Sequence, residues 1–278
     1  MMTLLFFYSH LTFCPDVCFI SSYQHSKQDI MCGRFVQIVE IDPLVKRFGV
    51  KRPERVTVPT SFNVAPGDFA YVITNDKPDE LQAFQFAFTP SWAKKKMYFI
   101  NARAEGDFNK ENDPHYQGEM GIVKKPAFRT AIRSKRCLVI ASGFYEGPEK
   151  EKLDKPFYIS KKNGELFSFA GIWDTWTDPE TGEMSNTFGI ITVAPNSMSQ
   201  QIGHHRSPLI LSKKDEQKWL NDRLPLEEVL GLLKPYPGED FKAEPISIKV
   251  KNPRYKSRDL IVPVGQSFEE LSSNKIEG

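Results

Sequence analysis

Short runs rich in β-branched and aromatic residues recur along this chain, each bounded by Gly, Pro, Asn or Asp, and this punctuation constrains the fold more than any other feature. The runs fall at 69–74, 81–88, 136–145, 156–160, 166–172 and 187–193. Helical signals are fewer. Asp42-Pro43, followed by Leu44, Val45 and Phe48 and closed by Gly49, predicts a short helix with an N-cap, a first-turn proline and a C-cap glycine. Segments 214–221 and 226–233 read as two more helices. The sum is an α+β protein dominated by antiparallel strands, with helices at its periphery. With 278 residues, of which 40% are hydrophobic and 12% aromatic, the chain can fill one sizeable core. The acidic stretch 105–113 reads as an exposed loop or short helix.

The first thirty residues do not continue this pattern. Their apolar run, 4–8, has no basic residue before it and is too short to cross a bilayer, which argues against a secretory signal and against a membrane partner. Residues 1–30 are therefore expected to be a leader outside the fold. A start assigned too far upstream ranks first among explanations, then a removed propeptide, then a genuine extension. Residues 31–266 form the expected catalytic domain and 267–278 a polar tail. The four cysteines offer no pairable framework, so a reducing, cytoplasmic setting is expected. Cys14 and Cys18, with His10 and His25 nearby, lack the second cysteine pair of a zinc site, and no metal or other cofactor is expected.

A formal charge of +2 does not by itself argue for nucleic acid, but the basic residues are clustered. Lys94, Lys95, Lys96 and Arg103 form one group, Lys124, Lys125, Arg129, Arg133, Lys135 and Arg136 a second, and Lys249, Lys251, Arg254, Lys256 and Arg258 a third. Each alone reads as a solvated face; together they could line a phosphate groove. Gly-rich phosphate loops, HExxH helices and GxSxG elbows are all missing, which removes the usual markers of nucleotide hydrolysis, zinc peptidases and α/β-hydrolases.

What remains are polar residues set in apolar runs. Asn101 and Arg103 follow Tyr98-Phe99-Ile100, Glu146 ends Gly143-Phe144-Tyr145-Glu146, and His204-His205-Arg206 precedes Pro208-Leu209-Ile210-Leu211. Singly, Glu146 reads equally well as an exposed strand end and His204 as a structural histidine. Their order with other motifs is more specific. Met31-Cys32-Gly33-Arg34-Phe35, Phe62-Asn63-Val64-Ala65-Pro66, Ile100-Asn101-Ala102-Arg103-Ala104-Glu105, Gly143-Phe144-Tyr145-Glu146 and His204-His205-Arg206-Ser207-Pro208 occur in that sequence. The series resembles the SRAP (SOS response-associated peptidase) family of abasic-site processing proteins, from about Cys32 to Val264.

The resemblance implies a single domain with a barrel-like sheet core of mostly antiparallel strands. It also implies a sensor and shield of abasic sites in single-stranded DNA, with no obligatory protein partner. In the family, the cysteine after the initiator methionine becomes the first residue and forms a thiazolidine with the ring-opened abasic aldehyde. Such a ring needs an amine and a thiol on adjacent carbons, which only an N-terminal cysteine offers. Cys32 takes that place here once the preceding residues are gone. Glu146 matches the catalytic carboxylate, His204 the catalytic histidine, and Asn101 an asparagine that orients the deoxyribose. Arg34, Arg103 and Arg206 match phosphate-holding positions, Trp92 a base-stacking aromatic, and Asn63 and Pro66 the shaping of the pocket.

Two departures stand out. Gly147 follows Glu146 where many relatives carry tryptophan, and the leader, if retained, blocks the amine of Cys32. The resemblance also covers strand incision by β-elimination from a Schiff base. Two other readings predict different behaviour. A self-processing cysteine peptidase would cut its own leader before Cys32, and a noncovalent single-strand binding module would depend on neither Cys32 nor the lesion.

Overall fold

The computed structural model describes residues 33–266; the leader 1–30 with Cys14 and Cys18, Cys32 itself, and the tail 267–278 lie outside the described residues. The strands are β1 (Phe35–Gln37), β2 (Ser61–Val64), β3 (Phe69–Thr74), β4 (Lys77–Phe86), β5 (Asn101–Arg103), β6 (Arg136–Ala141), β7 (Gly143–Glu146), β8 (Phe157–Lys161), β9 (Phe167–Thr177), β10 (Met184–Val193), β11 (Ser207–Pro208), β12 (Ile210–Leu211) and β13 (Phe241–Pro245). The helices are α1 (Ile41–Phe48), α2 (Ala131–Ser134), α3 (Ser197–Gln201), α4 (Lys213–Leu220) and α5 (Leu226–Gly231).

Five strands close a barrel. β4–β3, β3–β6, β6–β9 and β9–β10 pair antiparallel, and the parallel pairing of β10 with β4 joins the ends. Closure leaves these five strands with no open edge between them. A second sheet, in the order β13-β8-β7-β1-β2, packs against the barrel. Strand alternation sorts the core in two. Val72, Phe86, Val139, Phe169 and Phe188 pack with Phe35, Phe144, Ile159 and Phe241 of the second sheet. Tyr71, Ile73, Leu138, Ile140, Ile172 and Ile191 pack instead with Leu44 of α1, Trp219 of α4 and Val229 of α5. The architecture is thus the expected α+β domain, mostly antiparallel, with its helices peripheral.

Helix α1 ends as its sequence predicts, at Gly49 with φ 67°, whose N–H donates to Val45 O. Its N-cap is Glu40 rather than Asp42, and no side chain caps it. The expected single strand over 136–145 is two, because the chain leaves the barrel at Ser142 and enters the second sheet. Ser142 N–H donates to Val36 O at 2.8 Å and its hydroxyl accepts Ile38 N–H at 3.1 Å. Gly143 permits the crossing, since a Cβ there would lie 2.3 Å from the Tyr158 ring. This crossing carries Glu146 to the end of β7.

Candidate active site

β1 and β7 pair antiparallel, with Phe35 opposite Phe144, and Tyr145 N–H donates to Arg34 O at 3.0 Å. The carboxyl of Glu146 is buried and lies 3.5 Å from Nε2 of His204, also buried, so the end of β7 meets the segment between α3 and β11. His204 sits in the turn after α3, where its N–H donates to Ser199 O.

The other ring nitrogen fixes the tautomer. Nδ1 of His204 lies 3.0 Å from the carbonyl oxygen of Gly147, an acceptor only, so Nδ1 carries the hydrogen. In the neutral ring the lone pair then sits on Nε2, facing Oε2 of Glu146. Two lone pairs repel unless a proton joins them, so the arrangement is built to hold or pass one proton.

Gly147 is central to this geometry. A Cβ there would lie 1.8 Å from Lys152 O and 2.9 Å from Lys155 O, so the 148–155 segment folds directly onto this position. That segment also grips the histidine turn: Glu149 N–H donates to Gly203 O at 3.0 Å, and the Glu149 carboxylate lies 3.4 Å from Nδ1 of His205.

β5 and β11 flank β10 on opposite sides, with Arg103 and Pro208 both in register with Thr192. Asn101 and Arg103 are thereby brought to the barrel end that carries the His204 turn. Glu105 bridges the two sides: it accepts Ala194 N–H at 2.7 Å and the guanidinium of Arg206 at 2.6 Å. Both partners are buried, Arg206 at 0% exposure. One correction follows: Glu105 is not part of an exposed loop. The guanidinium of Arg206 is turned inward to its carboxylate. Arg103 donates to Asn109 O, and its Nε and the Nδ2 of Asn101 are buried with no hydrogen-bond partner among the described residues.

Arg34 and Asn63 form a different cluster. Arg34 donates to Asn63 Oδ1, Val250 O and Lys251 O at 3.2–3.3 Å. Asn63, fully buried, donates to Val250 O, Asn252 O and Tyr255 O. Together they staple the 250–255 segment to β1 and β2. Burial lowers the pKa of Arg34 from its ordinary value, and nearby Asp68 partly offsets this. Pro66 is half-buried in a turn that Asp68 closes by accepting Ala65 N–H at 2.8 Å. Trp92 lies apart from both clusters and is 57% exposed.

Sequence reasoning missed Glu105 as the partner of Arg206, and it missed the 148–155 segment as the clasp on His204. The acid in Asn101-Ala102-Arg103-Ala104-Glu105 was visible, but only its place beside Ala194 reveals the role. A cleft of about 740 Å³ lies elsewhere, near Arg47, Phe48, Lys213 and Glu216, and none of the expected site residues lines it. Among the described residues no group of three or more His, Cys, Asp or Glu could hold a metal, and no helix is long and apolar enough to cross a membrane.

The class defined by this fold and site is a mixed barrel-and-sheet α+β domain with a buried carboxylate–imidazole pair at the end of β7. Residues 31–253 match the profile of the family described as SOS response associated peptidase (SRAP), and the chain belongs to that family. It is similar to a Bacillus subtilis protein named abasic site processing protein YoqW, 35% identical over 239 residues that cover 83% of this chain and 99% of the relative. The Escherichia coli abasic site processing protein YedK is 25% identical, over 84% of this chain and 100% of its own. A crystal structure of a Bacteroides thetaiotaomicron protein superposes with a TM-score of 0.71 at 29% identity, covering 84% of this chain and 100% of that one.

Proposed function

We propose that this chain processes abasic sites in single-stranded DNA, capturing the ring-opened sugar as a covalent thiazolidine through Cys32. The observation that carries the reading is the buried Glu146–His204 pair, 3.5 Å apart, at the end of β7, whose partner strand β1 begins three residues after Cys32. Cys32 precedes Gly33 in the sequence. The names of the relatives supply the substrate class.

The chemistry balances without a cofactor. The α-amine of Cys32 adds to the aldehyde carbon and one water leaves, giving a Schiff base; the thiol then adds across the C=N bond and the nitrogen takes up the thiol proton. The reference pKa of an α-amine is roughly 7.7–8.0, so free amine is present at neutral pH. Glu146 takes the proton released from the amine, and His204, held by Gly147 O, returns one to the sugar ring oxygen as the aldehyde opens. Asn101 and Arg103 have polar atoms to spare for the sugar and its phosphate, whereas Arg206 and Asn63 are engaged inside the fold. Trp92 offers an exposed ring to a neighbouring base. Strand incision competes from the same Schiff base by β-elimination.

The test compares proteins beginning at Cys32 and at Met1 on a single-stranded oligonucleotide with one abasic site. A stable adduct, lighter by one water than the summed masses of protein and opened DNA, is expected from the Cys32-starting form and not from its Cys32→Ala variant. Failure of the Cys32-starting protein to form that adduct overturns the proposal.

A further inference from the structure

The backbone on both sides of the exposed Trp92 is anchored to the barrel wall. Trp92 occupies the third position of a turn over residues 90–93, closed by Ala93 N–H donating to Pro90 O at 3.0 Å. On one side, Ser91 N–H donates to Oδ2 of Asp174 at 2.8 Å. On the other, Nε1–H of Trp176 donates to Ala93 O at 2.7 Å. Both anchors belong to β9 of the barrel wall and are buried, Asp174 at 5% and Trp176 at 4% exposure. Asp174 is itself fixed by Lys135 and by the Thr175 N–H at 2.9 Å. The loop also closes on itself, because Phe88 and Phe99 exchange backbone hydrogen bonds of 2.9 and 3.0 Å.

The flanking chemistry suits one kind of partner. Lys94 and Lys95 are exposed beside the turn, and residues 89–101 contain no acid. A planar aromatic face next to cations matches a nucleobase and its phosphates, and every base has a face to stack. Fixing the backbone that carries the ring before binding lowers the ordering cost of association.

We infer that Trp176 and Asp174 are positioning residues that present Trp92 as a preorganised stacking surface for a base of single-stranded nucleic acid. The inference rests on the reading above that the chain binds single-stranded DNA. Neither residue touches the base; each acts through the backbone beside Trp92.

The experiment measures the affinity of the full chain for an undamaged labelled oligothymidylate by fluorescence anisotropy, in a double-mutant cycle. Trp92→Ala is expected to weaken binding roughly 5- to 150-fold, the range of one lost stacking contact. Trp176→Phe keeps an aromatic ring but removes the N–H. It is expected to weaken binding about threefold when Trp92 is present and to have no further effect in the Trp92→Ala background. Asp174→Asn, the second variant, is expected to show the same dependence on Trp92. An equal loss with and without Trp92, or no loss from either anchor variant, overturns the inference, as does unchanged binding by Trp92→Ala. Crosslinking to the abasic oligonucleotide is scored on the Cys32-starting form of each variant. If it persists while the cycle fails, the inference falls and the proposed function stands; if neither binding nor crosslinking occurs, both fall.

Discussion

At Gly147 the absence of a side chain sets the orientation of His204, because the backbone of Lys152 occupies the space a Cβ would need. Gly147→Ala must push the 148–155 segment aside and with it the carbonyl that receives Nδ1–H. Overpacking of this kind costs about 1–3 kcal/mol. The expected result is a lower urea midpoint together with a loss of crosslinking rate larger than the loss of DNA affinity. Glu105 makes a separate prediction. Removing it by Glu105→Ala leaves the guanidinium of Arg206 buried without its carboxylate partner, a change that typically costs about 3–5 kcal/mol. Equilibrium unfolding should register that loss even with the leader absent. Cys137 adds a pH dependence. Burial pushes its thiol well above the ordinary value, so the folded chain keeps the proton that the unfolded chain releases above about 8.5. The thiol's contribution is fully present below that pH and is lost as pH rises, by at most about 1.4 kcal/mol per unit. The stability difference between wild type and Cys137→Ala, measured by urea unfolding, should therefore move against the wild type between pH 8 and pH 10.

At the scale of elements, long periodic segments were legible and short ones were not. The run 69–74 coincides with β3, Gly49 ends α1, and the segment 214–221 falls within one residue of α4 at each end. β1, β2 and β5 span three or four residues, too few for alternation to emerge, and they exist because the neighbouring strands offer them edges. The crossing at Ser142 was equally hidden, since apolar residues continue through it while the partner sheet changes. The site divides in the same way. Glu146 and His204 stood out through motif order, but their contact, and the clasp of 148–155, depend on tertiary packing. Where the barrel walls approach most closely, glycine is a packing requirement. A Cβ on Gly171 of β9 would lie 2.8 Å from both Cys137 Sγ and Val139 Cγ2 of β6. Gly171→Ala should lower stability by about 1–3 kcal/mol, and combining it with Cys137→Ala should restore part of that loss, as read by thermal and urea unfolding.

For the whole molecule, the proposed function sets a chain of net charge +2 against a polyanion, and the ion pairs limit how many cations it can offer. Formal charge in the sequence overstates the second and third basic clusters. Arg136 is fully buried and donates to the carbonyls of Trp219 and Asn221, while Lys124, Lys125 and Lys135 pair with Glu119, Asp107 and Asp174. In the third cluster Lys249, Lys251 and Lys256 pair with Asp259, Asp154 and Asp68. Apart from Lys135 and the buried Asp174, these exposed pairs add little stability, about 0–1 kcal/mol each, but each acid offsets the field its lysine would present to a phosphate. Few cations are then left to displace counterions from a single strand, which contributes a slope of roughly −0.7 per neutralised phosphate to log K against log salt. The undamaged strand should therefore bind with a shallow slope, about −2 to −4, measured by anisotropy from low to moderate salt. Lys94→Ala and Lys95→Ala should each make it shallower, whereas Lys124→Ala should leave it nearly unchanged. A covalent adduct, once closed, has no counterions to release on persisting, so its survival should not depend on salt. A steep slope for the undamaged strand would mean that the paired lysines open toward DNA, and the distribution of acids would no longer account for where the strand lies.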